Sequence, residues 1–263
     1  MDNKINFSQF FNIANIFSLI AVVASILFLF FKGLNYGVDF KGGTLLEIRI
    51  ENKSIQIQDI RSALQIPELG DVNVKQFGDA GDFLIKFEKN ANENEKFIKK
   101  LKNIISKKIN SAVNFRRVET VGPKVSSELL KQGVTAIALA LGAMLFYIWI
   151  RFEWQFSIGS IIALIHDVVI TLGIFSILSF EVNLSIVAAV LTIVGYSMND
   201  TVVIFDRIRE NLLKYSKLKT NEIADISVNE TLSRTIITSL TTLLALFSIF
   251  ILGGEILKGF SFA

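Results

Sequence analysis

Asp200 has the strongest claim to chemistry in this sequence. It follows Asn199 inside a run, Leu184 to Phe205, that is otherwise apolar enough to cross a membrane. The charged group Asp206-Arg207-Ile208-Arg209-Glu210 ends that run. At the α-helical rise, Asp200 stands about 10 Å inside Arg207, within hydrocarbon rather than at the headgroups. A carboxylate at that depth costs roughly 2.5–3.5 kcal/mol on insertion scales. An acid kept there is a functional candidate, and the chemistry open to it is the gain and loss of a proton. The competing reading is an acid near enough to the helix end to snorkel, helped by Ser197, one turn before it, and by the adjoining Thr201.

Composition narrows the field. Of 263 residues, 51% are apolar and 23 are Phe, which excludes an ordinary soluble domain and points to several membrane spans. There is no Cys, so disulfides and thiolate metal sites are excluded. The single histidine, His166, leaves no room for a multi-histidine metal site or a relay of histidines. A net charge of +3 is spread over several segments rather than gathered in one patch, so nucleic-acid binding has no support.

The spans follow in order. Residues 1–11 are a short polar N-terminus, and Asn12–Phe31 is a first apolar span with neither the short core nor the cleavage site of a signal peptide. Gly37-Val38-Asp39-Phe40-Lys41-Gly42-Gly43 then supplies glycines for a sharp turn into a domain over residues 36–124. Thr44–Ile50 alternates as a strand, and Ile57–Leu64 reads as a short helix stopped near Pro67. Val72–Phe77 and Asp82–Phe87 read as strands across a Gly/Asp turn. Glu93–Ile109 is a basic amphipathic helix with Phe97, Ile98, Leu101, Ile104 and Ile105 inward, and Val113–Val121 is a last strand. That order, β-α-β-β-α-β, is ferredoxin-like. Gly122-Pro123 breaks the strand, and Ser126 or Ser127 is expected to cap the helix that leads into a membrane bundle over 129–263. Further spans are expected near 133–150, 156–180, 184–205 and 235–252, with an unfinished sixth from 256. About thirty polar residues are expected to form the loop before the fifth span. The fold class is thus an α-helical polytopic membrane protein, five spans plus the start of a sixth, with an inserted α+β ferredoxin-like external domain.

Short-loop charges orient the bundle. Arg151, Arg207, Arg209, Lys214, Lys217, Lys219 and Arg234 fall on one side, against Lys258 on the other. The positive-inside rule places the Arg-rich side in the cytoplasm and the inserted domain outside.

Five motifs carry a family resemblance: Gly37–Gly43; Val121-Gly122-Pro123 with Glu128-Leu129; Ala163-Leu164-Ile165-His166-Asp167-Val168; the stretch around Asn199-Asp200; and Thr231-Leu232-Ser233-Arg234-Thr235. In this order and topology the chain resembles the SecF family, bacterial protein-export membrane subunits within the RND superfamily of proton-driven transporters. The resemblance implies a complex with SecD in the bacterial inner membrane that assists the SecYEG translocon, with the exported polypeptide and membrane lipid as its other contacts. It implies proton passage involving Asp200 and Arg234, with Asn199 beside them. Asp167 either joins that path or pairs with backbone and serine hydroxyls within its own span. Gly37, Asp39, Phe40, Gly42, Gly43, Gly122, Pro123 and Glu128 are expected to serve the family structurally. No cofactor, metal or enzymatic activity is expected. The family has six spans, so a chain reaching only the start of the sixth is expected to be a fragment. A carboxylate beside a guanidinium is favoured ionised and can be switched by protonation. Two other readings are a non-conducting scaffold between SecD and the translocon and a small-molecule exporter. The single small domain, with no second repeat to enclose a substrate, disfavours the exporter.

Overall fold

The computed structural model describes residues 5–66, 69–76, 79–88 and 95–263. A 3-10 turn, Phe7–Phe10, precedes α1 (Phe11–Phe31). Then come β1 (Asn35–Tyr36), α2 (Val38–Lys41), β2 (Gly43–Ile50), α3 (Ile57–Ala63), β3 (Val72–Gln76) and β4 (Asp82–Phe87). They are followed by α4 (Glu95–Ile109), β5 (Val113–Val121), α5 (Pro123–Arg151) and α6 (Trp154–Leu178). The chain closes with β6 (Glu181–Val182), α7 (Leu184–Lys214), α8 (Thr220–Leu252) and α9 (Glu255–Phe262). These elements form two compact units: Tyr36–Val134, a sheet unit, and Met1–Asn35 with Thr135–Ala263, a helical unit.

Alternation builds the sheet unit. Leu46, Ile48 and Ile50 of β2 and Phe83, Ile85 and Phe87 of β4 point to one face, where Leu101 and Ile105 of α4 meet them. The strand order β3-β4-β2-β5 is antiparallel throughout, the arrangement that the β-α-β-β-α-β order anticipates. Between Glu47 and Ile48 the register with β5 skips Arg116, so the extra residue of this bulge belongs to β5. Pro67, Phe77 and the first residues of the expected long helix, 93–94, lie outside the described residues.

On the opposite face, Arg49 grips the buried Asp82 carboxylate through Nε and a second guanidinium nitrogen, both at 2.5 Å. Arg116 stands 3.6 Å away. The Arg49 hydrogen bonds hold the Asp82 carboxyl below its usual range against the opposing pull of burial. Burial pushes Lys86 down to about 8, with Lys75 adding to the shift and Asp39 opposing it.

In the helical unit the solvent logic is reversed. Among the described residues five helices are long and apolar enough to cross a membrane: Phe7–Phe31, Pro123–Arg151, Trp154–Leu178, Leu184–Lys214 and Thr220–Leu252. Their Ile, Leu and Phe side chains are widely exposed, as lipid-facing surfaces are. Helices approach instead through small residues. A Cβ on Gly173 of α6 would lie 2.3 Å from the Ser25 Cβ of α1. Ser176 Oγ closes the same contact by donating to the Gly33 carbonyl at 2.7 Å. In α9, Phe262 packs edge-on to Phe180 with ring centroids 4.8 Å apart.

Three expectations need correction. The thirty-residue loop before the fifth span is a five-residue turn, 215–219; the remainder extends α7 past 205 to Lys214 and starts α8 at Thr220 rather than 235. Nothing between 206 and 234 is Gly or Pro, and the polar side chains there pair across two helices instead of facing water in a loop. The second membrane helix likewise starts at Pro123, ten residues before the apolar run at 133. Pro123 occupies the first helical position, where its missing N–H costs nothing. Ser126 and Ser127 are therefore inside the helix, donating to the carbonyls of Pro123 and Lys124, and do not cap it.

Candidate functional site

The polar groups of the helical unit collect along α7. Asn183 starts this helix, its side-chain oxygen accepting from the Ile186 N–H at 3.3 Å. Three contacts fix how α7 lies against α8. Thr242 Oγ1 donates to Tyr196 Oη at 3.0 Å, Arg207 Nε to Glu230 Oε2 at 2.7 Å, and Asn211 Nδ2 to Ser227 Oγ at 3.0 Å. All three obey one antiparallel register. At 100° per residue, Tyr196, Asp200, Arg207 and Asn211 share a stripe of α7, and Ser227, Glu230, Arg234, Thr238 and Thr242 share the facing stripe of α8.

That register decides where the expected pair stands. Asp200 falls opposite Thr238 and Arg234 opposite Ile204, which sets the two backbones about 6 Å apart along the helix axis, one turn. Both side chains thus belong to the same seam. Asp200 is half-buried and accepts a long bond, 3.5 Å, from Asn199 Nδ2; Asn199 and Arg234 are exposed. Among the described residues no ion pair within 4 Å joins Asp200 to Arg234. The seam brings them to one place with the carboxylate and guanidinium apart.

Asp167 lies on the other flank of α7. Its Oδ2 accepts from Ser197 Oγ at 2.6 Å, and its Oδ1 is 2.8 Å from His166 Nδ1. The serine is on α7, so the partner is the neighbouring helix rather than a hydroxyl within α6. Below this level, towards the polar ends of the helices, charges are tied off. Arg207 also meets Glu210 at 2.7 Å, and Asp206 is shared by Arg151 and Arg209, each at 3.0 Å. Ser8, just before α1, gives both its N–H and its hydroxyl to the Asp225 carboxylate, at 2.7 and 2.6 Å.

The glycine-rich run has its own geometry within the sheet unit. The Gly37 carbonyl accepts from the N–H groups of Phe40 and Lys41, closing the single turn α2. Gly42 has φ +79°, and a Cβ there would lie 3.3 Å from the Val121 carbonyl and 3.5 Å from Pro123 Cα. Gly43 has φ +119°, and its Cβ would stand 2.6 Å from the Phe87 carbonyl. Only glycine suits both the dihedral and the space. The run 37–43 and the run Val121-Gly122-Pro123 are thus brought together. Phe40 is buried, and Tyr36 packs edge-on against it at 6.1 Å. Asp39 sits in the first turn of α2, and Glu128 is exposed on α5, outside this cluster.

Tyr196, Thr242, Asn211 and Glu230 were not expected in the site. The stripe from Tyr196 through Asp200 to Asn211 has the helical period, whereas the polar run that holds Glu230 reads from sequence as loop.

Comparison with known proteins agrees with this architecture. The profile of the family described as "Protein export membrane protein SecD/SecF, C-terminal" matches residues 100–263, and that of the "SecD/SecF GG Motif" matches residues 27–53. The chain is similar to the protein translocase subunit SecF of Vibrio alginolyticus, 43% identical over 263 residues, covering 100% of this chain and 83% of the relative. It is similar to the corresponding subunit of Cereibacter sphaeroides, 42% identical over 256 residues, covering 94% of this chain and 78% of the relative. The crystal structure of SecDF, a translocon-associated membrane protein from Thermus thermophilus, superposes with a TM-score of 0.89 at 35% identity. That match covers 99% of this chain and 36% of the SecDF chain, so the chain spans about a third of that protein. SecDF in a super-membrane-facing form superposes with a TM-score of 0.71. The glycine run at its turn, the sheet unit and the α6–α8 bundle all fall within these matches, and the chain belongs to the SecF family of protein translocase subunits.

Proposed function

We propose that this subunit uses the proton-motive force, together with SecD, to assist polypeptide export through the SecYEG translocon of the bacterial inner membrane. The sheet unit stands outside the membrane, and the Arg-rich ends of α7 and α8 face the cytoplasm. The observation that carries this reading is the position of Asp200: half-buried, inside an apolar span, on the seam that also holds Arg234 one turn away.

Asp200 and Arg234 carry opposite charges on one seam, one turn apart and without an ion pair between them. A proton arriving from outside neutralises Asp200, removes its attraction for Arg234, and leaves α7 and α8 free to change their packing. When the proton leaves to the cytoplasm the attraction returns. One charge crossing the membrane field is worth about 2.3 kcal/mol per 100 mV, comparable to one such rearrangement. The exported chain is handled by the sheet unit, and the work reaches it through the membrane helices.

The test is gradient-dependent release of an exported protein from spheroplasts carrying the complex with SecD. Asp200→Asn keeps the shape and loses the proton, so release stops responding to the gradient while the complex still assembles. Arg234→Lys keeps a charge without the planar fork and gives a partial defect. Undiminished gradient-dependent release with Asp200→Asn contradicts the proposal and leaves a non-conducting scaffold as the better account.

A further inference from the structure

The contact between α6 and α7 holds polar groups that the α7–α8 seam does not use. Each oxygen of Asp167 has its own partner: Ser197 Oγ donates to Oδ2 at 2.6 Å from α7, and His166 Nδ1 lies 2.8 Å from Oδ1 on α6. The serine bond has the length of a hydroxyl donating to a carboxylate. Both hydroxyl-bearing neighbours are anchored to backbone as well, Thr171 Oγ1 to the Asp167 carbonyl at 2.8 Å and Thr201 Oγ1 to the Ser197 carbonyl at 3.0 Å.

The depth of this cluster follows from a second register. Asp167 meets Ser197, and the Phe205 ring lies 3.5 Å from the Cβ position of Gly159, so α6 and α7 run antiparallel with these pairs level. Asp167 is therefore one turn, about 4.5 Å, further from the cytoplasmic ends than Asp200. The levels run in sequence along α7: Tyr196 with Thr242, Ser197 with Asp167, then Asp200, then Arg234. The other titratable groups facing this region are few. α1 has none between Phe11 and Phe31, α5, which packs on α6 and α7, brings Tyr147 and Arg151, α7 brings Tyr196 and Asp200, α8 brings Arg234, and α9 brings Lys258.

We propose that Asp167 is a second proton-holding station, one turn deeper than Asp200, and that Ser197 is the residue that positions it. The proposal rests on proton carriage by Asp200. A serine hydroxyl donates to an ionised carboxylate and accepts from a protonated one, so Ser197 serves both states of Asp167 by rotating. For a proton leaving Asp167, Asp200 is the next carboxylate along α7, one turn nearer the cytoplasmic ends. His166 holds the second oxygen and keeps the carboxylate turned towards α7.

Infrared difference spectra of the complex with SecD, reconstituted in lipid and taken between high and low pH, read carboxyl protonation directly. Two carboxyl bands are expected, one lost in Asp167→Asn and the other lost in Asp200→Asn. Ser197→Ala shifts the Asp167 band alone and lowers gradient-driven release about tenfold, the size of a lost hydrogen bond to a charged group. Ser197→Thr, which keeps the hydroxyl, restores both. Absence of a band that Asp167→Asn removes overturns the station, and an Asp167 band unmoved by Ser197→Ala overturns the positioning role. These failures differ from that of the underlying reading, which is marked by normal gradient-driven release in Asp200→Asn.

Discussion

The sheet unit and the helical unit solve opposite burial problems with one chain. In the sheet unit, alternating strands and the helices α3 and α4 enclose an apolar core that runs from Leu46 and Ile48 through Ile60 to Leu101 and Ile105. Its buried charge, Asp82, is gripped by Arg49 at 2.5 Å. In the helical unit, large apolar side chains such as Ile237, Leu244 and Phe247 point outward, and the polar groups lie between helices. There, among the described residues, Asp200 has only a 3.5 Å contact from Asn199. Asp82 is held on both oxygens, whereas Asp200 is left able to change partner, as its proposed role requires.

Three substitutions test this contrast, in falling order of effect. Gly43→Ala puts a Cβ 2.6 Å from the Phe87 carbonyl at φ +119°, where neither backbone nor sheet can yield. Its cost to the sheet unit is expected to be roughly 3 kcal/mol or more, read as a lower urea midpoint of residues 36–134 expressed alone. An unchanged midpoint would show that the turn into β2 is looser than its geometry. Gly173→Val overpacks the α1–α6 contact at Ser25 and is expected to cost roughly 1–3 kcal/mol in the helical unit. Thermal unfolding of the full chain in detergent measures it, and the urea midpoint of the isolated sheet unit stays fixed because that segment lacks residue 173.

The smallest effect is a pH dependence. Lys86 falls from its ordinary 10.5 to about 8 in the folded sheet unit, chiefly through burial. Between those values the unfolded chain binds the proton more readily, so folding stability rises with pH across this window. Lys86→Met removes that rise and stabilises the unit below pH 8 by roughly 1–2 kcal/mol. A parallel pair of stability curves for the two proteins would contradict the partly buried placement of Lys86.

Much of this was legible in the sequence because two periods are hard to mistake. Alternation through Leu46, Ile48 and Ile50 gave β2, and the 3.6-residue period of Leu101 and Ile105 gave α4. The apolar runs gave the spans but not the helix ends. Hydropathy marks where lipid begins, whereas α7 and α8 continue beyond it through pairs such as Arg207 with Glu230. Asp200 was visible as a charge in an apolar run. Its partners were not, since Tyr196 with Thr242 and Ser197 with Asp167 join residues 46 and 30 positions apart. The need for glycine at 43 was likewise hidden, because the obstructing Phe87 carbonyl belongs to a strand forty-four residues on.

The central claim is that Asp200 carries the proton, and proton flux itself tests it most directly. The complex with SecD is reconstituted in sealed vesicles containing a pH-sensitive dye, and a membrane potential is imposed. Wild-type protein is expected to acidify or alkalinise the lumen according to the sign of the potential. Asp200→Asn is expected to reduce that flux about a hundredfold or more, towards the leak of protein-free vesicles. Wild-type flux through the Asp200→Asn complex would contradict the account.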